Sequence, residues 1–425
     1  MYIGHSAVRM YVMGRRALTD EASDAEVQQM VRMVQDGLRA GALGFSSSRT
    51  HTHMTPEGTP VASRVANWSE IERIVAGMAA MGSGIYQTGP VISSRADHQA
   101  FLDHMRGYAL KYKRPIMFGV VSTRQGESPC HWRNQTEFID ETVAAGGRMF
   151  GQAGTRSINA IFSLKSYLPF DVLPAWQAAR ALPLNEQKRR LRDPAVRAEL
   201  VAAESRMKPK SATLQGGGAA TIDPRKPDYA NLFVMQGVDW DDPTVDDIAR
   251  ARGQHPVEVM FDLSLANEEQ VYVQPLVNES PEDILGMLRH DSTLATFSDS
   301  GAHVCQEMGS SLQTHLLSYW VRKRGTFTLE QAIKKITHDN AAAWEFGDRG
   351  VIKEGYRADL VLFEEDRIRP RLPTVEQDLP GGARRLVQKA DGIRATPVNG
   401  VVAFDNGEST GEFPGQVLRG KRAMD

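Results

Sequence analysis

Between residues 20 and 40 the apolar positions recur at intervals of three and four, which predicts an amphipathic helix with one buried face. Helix and strand then alternate along the chain. The predicted strands lie at 42–46, 84–87, 115–121 and 148–152. The predicted helices between them lie at 69–81, 97–111 and 132–145. Because short, evenly spaced strands alternate with helices and polar loops follow the strands, we predict a parallel α/β domain of the (β/α)8 barrel type.

This alternation breaks between about 170 and 248, where charged residues, glycines and prolines predict a helix-and-loop excursion packed over the barrel. The alternation of helix and strand returns with a predicted strand at 293–297. Helices are predicted at 244–251, 256–267, 281–289, 311–323 and 329–345. Short strands at 358–363 and 396–404 follow, the latter with Asn399-Gly400 as a hairpin turn. We therefore predict a barrel over 1–347 and a small β-sandwich portion over 348–425.

The start of the chain reads as the end of a strand already in progress, at Tyr2 and Ile3. We expect the barrel to be N-terminally incomplete. The sandwich is then expected to leave a strand edge exposed near 358–363 or 398–404.

The charge balance and the cysteine content limit the classes of ligand and the compartment that we expect. The chain has 50 Lys+Arg against 52 Asp+Glu, a net charge of -2, which gives no reason to expect nucleic acid or an anionic membrane. A small molecule is the expected ligand, and the sequence does not set the oligomeric state.

Cys130 and Cys305 are far apart, which supports neither a disulfide framework nor a thiolate zinc site and favours the cytoplasm. No targeting signal or apolar stretch of about 20 residues is present.

The end of the last predicted barrel strand carries the most informative carboxylate, Asp299. The carboxyl ends of barrel strands form the catalytic face, so Asp299 is placed to act as general base or metal ligand. The alternative is that Asp299 caps the following turn. His303, four residues on, is a candidate to contact substrate or move a proton, or else a loop histidine bonded to backbone.

Other polar candidates lie in or after the earlier strands. Arg49 and His51 lie in a polar loop. The sequence favours two interpretations about equally: that these side chains contact substrate, or that the loop is solvated and has no role in binding. A zinc site on His51 and His53 is less favoured because no strand fixes both rings. Gln87 and Gln152 both end predicted strands. They are candidates to hydrogen-bond the amide or carboxylate of a substrate, or else to support the barrel rim.

Three segments together resemble the N-acyl-D-amino-acid deacylase (D-aminoacylase) group of the amidohydrolase superfamily. They are residues 4–9 (GHSAVR), 40–46 (AGALGFS) and 298–303 (SDSGAH). Residues 348–361 (DRGVIKEGYRADLV) resemble that superfamily's passage from the last barrel helix into its β-sandwich. The resemblance implies hydrolysis of a linear amide by metal-assisted water attack, with zinc as the cofactor. Asp299 matches the aspartate that takes the proton of water and contacts the metal.

The chain also departs from this group. The group's first-strand His-x-His and its metal-binding cysteine belong to a segment that would precede Met1. Thr88-Gly89 stands where a Thr-His is expected, and residues 118–120 contain no histidine. Two alternatives therefore remain open: an inactive barrel that binds a small carboxylated ligand, and an ester or lactone hydrolase on the same scaffold.

Overall fold

The structure is a computed structural model in which part of the chain is described. The described residues are 1–50, 53–55, 57–89, 91, 94–121, 131–207, 226–296, 298, 300, 307 and 309–420.

A parallel sheet forms the centre of the fold. In the described part of the chain the first nine strands are β1 Tyr2–Gly4, β2 Gly44–Ser47, β3 Ile85–Thr88, β4 Ile116–Gly119, β5 Met149–Ala153, β6 Ile158–Ser163, β7 Phe233–Val234, β8 Val271–Val277 and β9 Thr293–Ala295. Six of these form the sheet in the order β1-β2-β3-β4-β5-β9, and every pairing is parallel.

The prediction of parallel α/β structure is confirmed, but the predicted closed barrel of eight strands is not found among the described residues. No pairing is described between the edge strands β1 and β9. Part of the reason is that β6, β7 and β8, which lie between β5 and β9 in the chain, form a separate antiparallel sheet instead of joining the parallel one.

Helices connect the parallel strands and cover one face of the sheet. They are α1 His5–Met13, α2 Asp24–Arg39, α3 Ala62–Val65, α4 Trp68–Ala80, α5 Arg95–Tyr112 and α6 Trp132–Ala144. The helix predicted from residue 20 begins at Asp24 because Ser23 caps it: the Ser23 side chain accepts from the Glu26 N–H, and the Glu26 carboxylate bonds back to Ser23. Helix α1, which directly follows β1, was not predicted.

The segment from β6 to β8 includes the predicted excursion. It contains the antiparallel sheet β6-β8-β7 and helices that pack on it around Phe170, Trp176 and Phe261. The helices are α7 Pro174–Arg180, α8 Leu184–Arg190, α9 Pro194–Glu204, α10 Val245–Arg252 and α11 Pro256–Ala266. Strands β6 and β8 lie on either side of the predicted limits of 170 and 248, and those limits stay a prediction.

The helices after the excursion are α12 Pro281–Arg289, α13 Leu312–His315, α14 Leu329–Ile336 and α15 His338–Ala343. The predicted helix at 311–323 passes from α13 into a π-helix, Leu316–Lys323. The predicted helix at 329–345 is broken at Thr337, whose φ of -125° and ψ of -83° are not helical.

The C-terminal residues form short antiparallel strands. They are β10 Leu362–Phe363, β11 Arg369–Pro370, β12 Thr374–Leu379, β13 Ala383–Val387, β14 Ala390–Asp391, β15 Ile393–Val398, β16 Val401–Asp405 and β17 Glu408–Ser409. The predicted hairpin turn is confirmed, since Asn399 and Gly400 between β15 and β16 both have positive φ. Strand β10 lies at one edge of the sheet β10-β15-β16-β17, and Leu362 on it is half exposed. The division at 347/348 stays a prediction.

Two apolar layers hold the parallel sheet in place. The larger lies between the sheet and its helices and includes Phe45, Tyr86 and Phe118. The smaller lies on the opposite face and is formed by Ile85, Met117, Phe150, Leu294 and Trp344 with their neighbours. Among the described helices, none is both long enough and apolar enough to serve as a membrane span.

Candidate functional site

Three polar side chains form a hydrogen-bonded chain at the carboxyl ends of the parallel strands. Gln87 of β3 donates from Nε2 to Oε1 of Gln152 on β5 at 3.0 Å. Gln152 in turn donates from Nε2 to Oγ1 of Thr296, the residue after β9, at 3.1 Å. The two glutamines that the sequence analysis singled out are therefore brought into direct contact, and Thr296 is a third member that it missed.

The register of the sheet explains this contact. Gln87 is paired with Met117, and Gln152 with Gly119, on the intervening strand β4. Paired residues on neighbouring strands point to the same face of the sheet. Because the residue of β4 paired with Gln152 is Gly119, no β4 side chain lies beside Gln152 on that face. Ser46 of β2, which is paired with Gln87, also faces this side. The result is a layer of amide and hydroxyl groups at the carboxyl end of the sheet.

Beneath this polar layer lies the smaller apolar layer. Trp344 donates from Nε1 to the hydroxyl of Tyr2 at 2.8 Å and so joins the start of β1 to the end of the last helical segment. Burial raises the pKa of Tyr2 to about 12 despite this hydrogen bond. Apolar side chains beside a few fixed polar groups are the usual lining of a small-molecule site.

The other predicted site residues are not part of this hydrogen-bonded chain among the described residues. Asp299, His51 and His303 lie outside the described residues; Asp299 follows Thr296 by three positions in the sequence. Arg49 is described and donates to the backbone carbonyl of Ala66, while its guanidinium lies 4.6 Å over the ring of Trp68. Burial lowers the pKa of Arg49. These contacts make Arg49 a tie between the loop after β2 and the start of α4.

The described residues do not fit a zinc site. Zinc in proteins is held by imidazole, thiolate or carboxylate groups, whereas the described side chains of the polar layer are amides and hydroxyls. In the described ranges no group of three or more His, Cys, Asp or Glu residues is arranged to hold a metal ion. A metal site in this chain would thus need donors from outside those ranges, such as Asp299.

A second polar cluster lies on the helix-covered face of the sheet. Nδ1 of His5 is 2.8 Å from Oγ of Ser47, and Nε2 of His5 is 2.7 Å from Oε1 of Glu70. Arg9 donates to the other oxygen of the same carboxylate. This is the order of groups found in Ser-His-acid nucleophiles, but the exposed fractions of His5, Ser47 and Glu70 are only 1%, 8% and 2%. Burial under the helices makes the cluster a structural tie between α1, β2 and α4.

The titration of this cluster follows from its burial. Burial lowers the pKa of His5, with the Glu70 carboxylate acting in the opposite direction. Burial raises the pKa of Glu70, but the hydrogen bonds and charges of His5 and Arg9 outweigh it, so that pKa falls below its usual value. No local pattern in the sequence reveals the cluster, because Glu70 lies 65 positions from His5.

Comparison with known proteins agrees with this fold. A family described as "Amidohydrolase family" matches residues 1–404 of the chain. An uncharacterized protein of Mycobacterium tuberculosis is 24% identical over 452 residues, which cover 97% of this chain and 69% of that protein.

Two solved structures are similar in fold. A crystal structure of D-aminoacylase has a TM-score of 0.57 at 19% identity, over 98% of this chain and 71% of that one. N-acyl-D-glutamate deacylase from Bordetella bronchiseptica, complexed with zinc and a phosphonate inhibitor, has a TM-score of 0.55 at 18% identity over the same shares.

Proposed function

The chain belongs to the amidohydrolase family, and we propose that it hydrolyses the amide bond of N-acyl-D-amino acids. The products are a carboxylic acid and a free amino acid. This substrate class is the one named by the D-aminoacylase and N-acyl-D-glutamate deacylase that share the fold. The proposed site is the polar layer at the carboxyl ends of β3, β5 and β9.

The observation that carries this proposal is the hydrogen-bonded chain Gln87–Gln152–Thr296. Side-chain amides both donate and accept, so they match the C=O and N–H groups of an amide substrate. Each glutamine is also held by its neighbour, which limits the rotamers it can adopt before substrate arrives. Such preorganisation reduces the entropy lost on binding.

The chemical step that we propose uses Asp299, which follows this layer in sequence. Its carboxylate takes a proton from water while the water oxygen attacks the carbonyl carbon of the substrate. The same proton then passes to the nitrogen of the departing amine as the C–N bond breaks. Arg49, His51 and His303 complete the proposed contacts around the substrate, with Arg49 acting through the loop that it ties to Ala66.

The test is a pair of aspartate substitutions, one before and one after β9 in the sequence. Asp299→Asn is expected to lower kcat on an N-acetyl-D-amino acid panel by about 10²- to 10⁴-fold, since Asn cannot accept the proton. Asp291→Asn, at the exposed amino end of β9, is the matched control and should leave turnover unchanged. Thermal melts of both variants establish that the fold is intact.

The panel also separates the alternatives. It includes the matching N-acetyl-L-amino acids, simple esters and lactones, assayed with the same protein. Turnover of esters or lactones without turnover of amides, or a folded wild-type chain that binds the panel and hydrolyses none of it, contradicts the proposal.

A further inference from the structure

A small cavity lies beside the carboxyl end of β5, in the angle between the parallel sheet, the excursion and the π-helix. Its volume is about 20 Å³, and its polar wall is formed by Arg156, Ser157, Asn159, Asp239 and His315. Such a space fits one small polar group or a water molecule. Arg156 and Asp239 in this wall keep partial exposure to solvent, so a ligand group can reach it from outside.

The position of Arg156 is fixed by the residue before it. Thr155 is fully buried, and its hydroxyl donates to the carbonyl of Leu312 at 2.9 Å. The Thr155 carbonyl accepts from Nε1 of Trp320 at 2.7 Å. Two hydrogen bonds thus fasten the loop after β5 to α13 and the π-helix. The guanidinium of Arg156 is carried on a rigid support, which suits a binding group.

The donors of Arg156 are not used within the described part of the chain. No described side chain there forms a hydrogen bond or a close ion pair with its guanidinium; Glu307, Asp239 and Asp242 act on it only as more distant charges. Asp239 is itself paired with Lys323 at 2.5 Å. Taking a charge out of water without partners is costly, so a guanidinium placed in this way favours an anionic ligand.

His315 forms the deep side of the cavity. Its exposed fraction is 1%, and its ring stacks on Tyr319 with the centroids 5.1 Å apart. Burial and, after it, the charge of Arg156 lower the pKa of His315 well below its ordinary value, so the ring is neutral near pH 7. Hydrogen bonds with the backbone of Thr155 and Val238 act in the opposite direction on this pKa. The neutral ring adds no second positive charge beside Arg156. His315 also directly precedes the π-helix, and π-helical segments recur at functional sites.

We propose that this cavity binds a carboxylate group, with Arg156 as the paired donor and Asn159 and His315 as further polar contacts. A planar carboxylate accepts two parallel hydrogen bonds from a guanidinium, which an ammonium group cannot supply. The carboxylate belongs either to the substrate, in which case the inference rests on the proposed function, or to a separate small carboxylic acid.

Binding is tested directly with acetate as the probe, by titrating the full chain with ¹³C-labelled acetate. Arg156→Met is expected to weaken acetate binding at least tenfold, while Arg32→Met, which removes an exposed arginine of α2, binds as the wild type does. Arg156→Lys keeps the charge and loses the paired donors, so it should weaken binding severalfold; it keeps the test decisive if the Met variant does not fold. Wild-type binding in both Arg156 variants, or no acetate binding by the wild type, overturns the proposal.

The source of the carboxylate is decided by kinetics with N-acetyl-D-alanine and N-acetyl-D-alaninamide. If the substrate supplies it, Arg156→Lys raises KM for the acid but not for the amide, and acetate competes with the acid. If a separate acid supplies it, acetate binds without competing, and both KM values stay unchanged. A chain that hydrolyses neither compound contradicts the proposed function but leaves the acetate titration as an independent result.

Discussion

Gln87 and Gln152 lie 65 positions apart in the sequence and on strands separated by β4, yet their side chains share a hydrogen bond of 3.0 Å. Gln152 also bonds to Thr296 and is only 5% exposed. Replacing it leaves polar groups of both neighbours without their partner. We expect Gln152→Met to lower the free energy of unfolding by about 1–3 kcal/mol.

The control for this substitution is Gln99→Met, which removes an exposed glutamine that bonds to Asp103 on the same helix. Its effect should stay within about 0.5 kcal/mol. Urea unfolding of the three proteins makes the comparison. Equal stability of the two variants would mean that the bond between the glutamines contributes nothing to the fold.

The buried cluster of His5, Arg9 and Glu70 gives a second prediction. Glu70→Gln removes the negative charge that faces the fully buried Arg9. Breaking a buried ion pair from one side leaves an uncompensated charge and typically costs about 3–5 kcal/mol. We expect a loss of that size in the free energy of unfolding.

Glu72→Gln on the same helix is the matched control. Glu72 pairs with Lys111 at the surface, where such pairs contribute about 0–1 kcal/mol. The two variants are compared by denaturant unfolding at pH 7.5. A Glu70→Gln variant as stable as Glu72→Gln would mean that the cluster does not stabilise the contact between α1 and α4.

Stability should also depend on pH through the buried histidines. Burial lowers the pKa of both His5 and His315 from the ordinary value of 6.5. Below about pH 6.5 the unfolded chain binds protons on these rings that the folded chain does not bind, so folded-state stability is lost as the pH falls. Each ring contributes a slope of at most about 1.4 kcal/mol per pH unit.

This slope is measured by unfolding curves between pH 7.5 and 5.5. His315→Phe should flatten it, whereas His338→Gln, at an exposed histidine, should not. A wild-type stability that is constant over this range would contradict the assignment of His315 as a neutral buried ring.

Zinc content gives a fourth prediction. Because the described donors do not fit zinc, the purified chain should hold well below one zinc per molecule after dialysis. Elemental analysis by mass spectrometry measures it. One firmly held zinc per chain would mean that zinc ligands lie outside the described residues. His51, Asp299 and His303 would then be the first residues to replace.

Local patterns predicted the first half of the sheet well. Strands β2 to β5 and helices α2, α4, α5 and α6 lie within a few residues of their predicted limits, because each is set by its own apolar periodicity and caps, as at Ser23. The short helix α3 was not predicted. Strand β8 was missed because its first five residues are all buried. A run of that kind does not show the alternation by which a strand is recognised.

The candidate site was only partly predictable. That Gln87 and Gln152 end strands is visible in the sequence, but that they bond to each other depends on the register of β3, β4 and β5 and on the missing side chain of Gly119. Arg49 was predicted as a substrate contact from its polar loop. The structure gives it other partners, Ala66 and Trp68, which no local pattern indicates.

The hydrogen bond between Tyr2 and Trp344 also has a consequence for how the chain folds. It joins residues 342 positions apart, and the smaller apolar layer also includes Leu294 and Ala343. Contacts of such long range form slowly, because a large loop must close before they are made. During synthesis, strands β1 to β5 leave the ribosome long before Trp344 does. A nascent chain therefore exposes Ile85 and Met117 for much of its synthesis, and a chain stopped before residue 344 should be prone to aggregation.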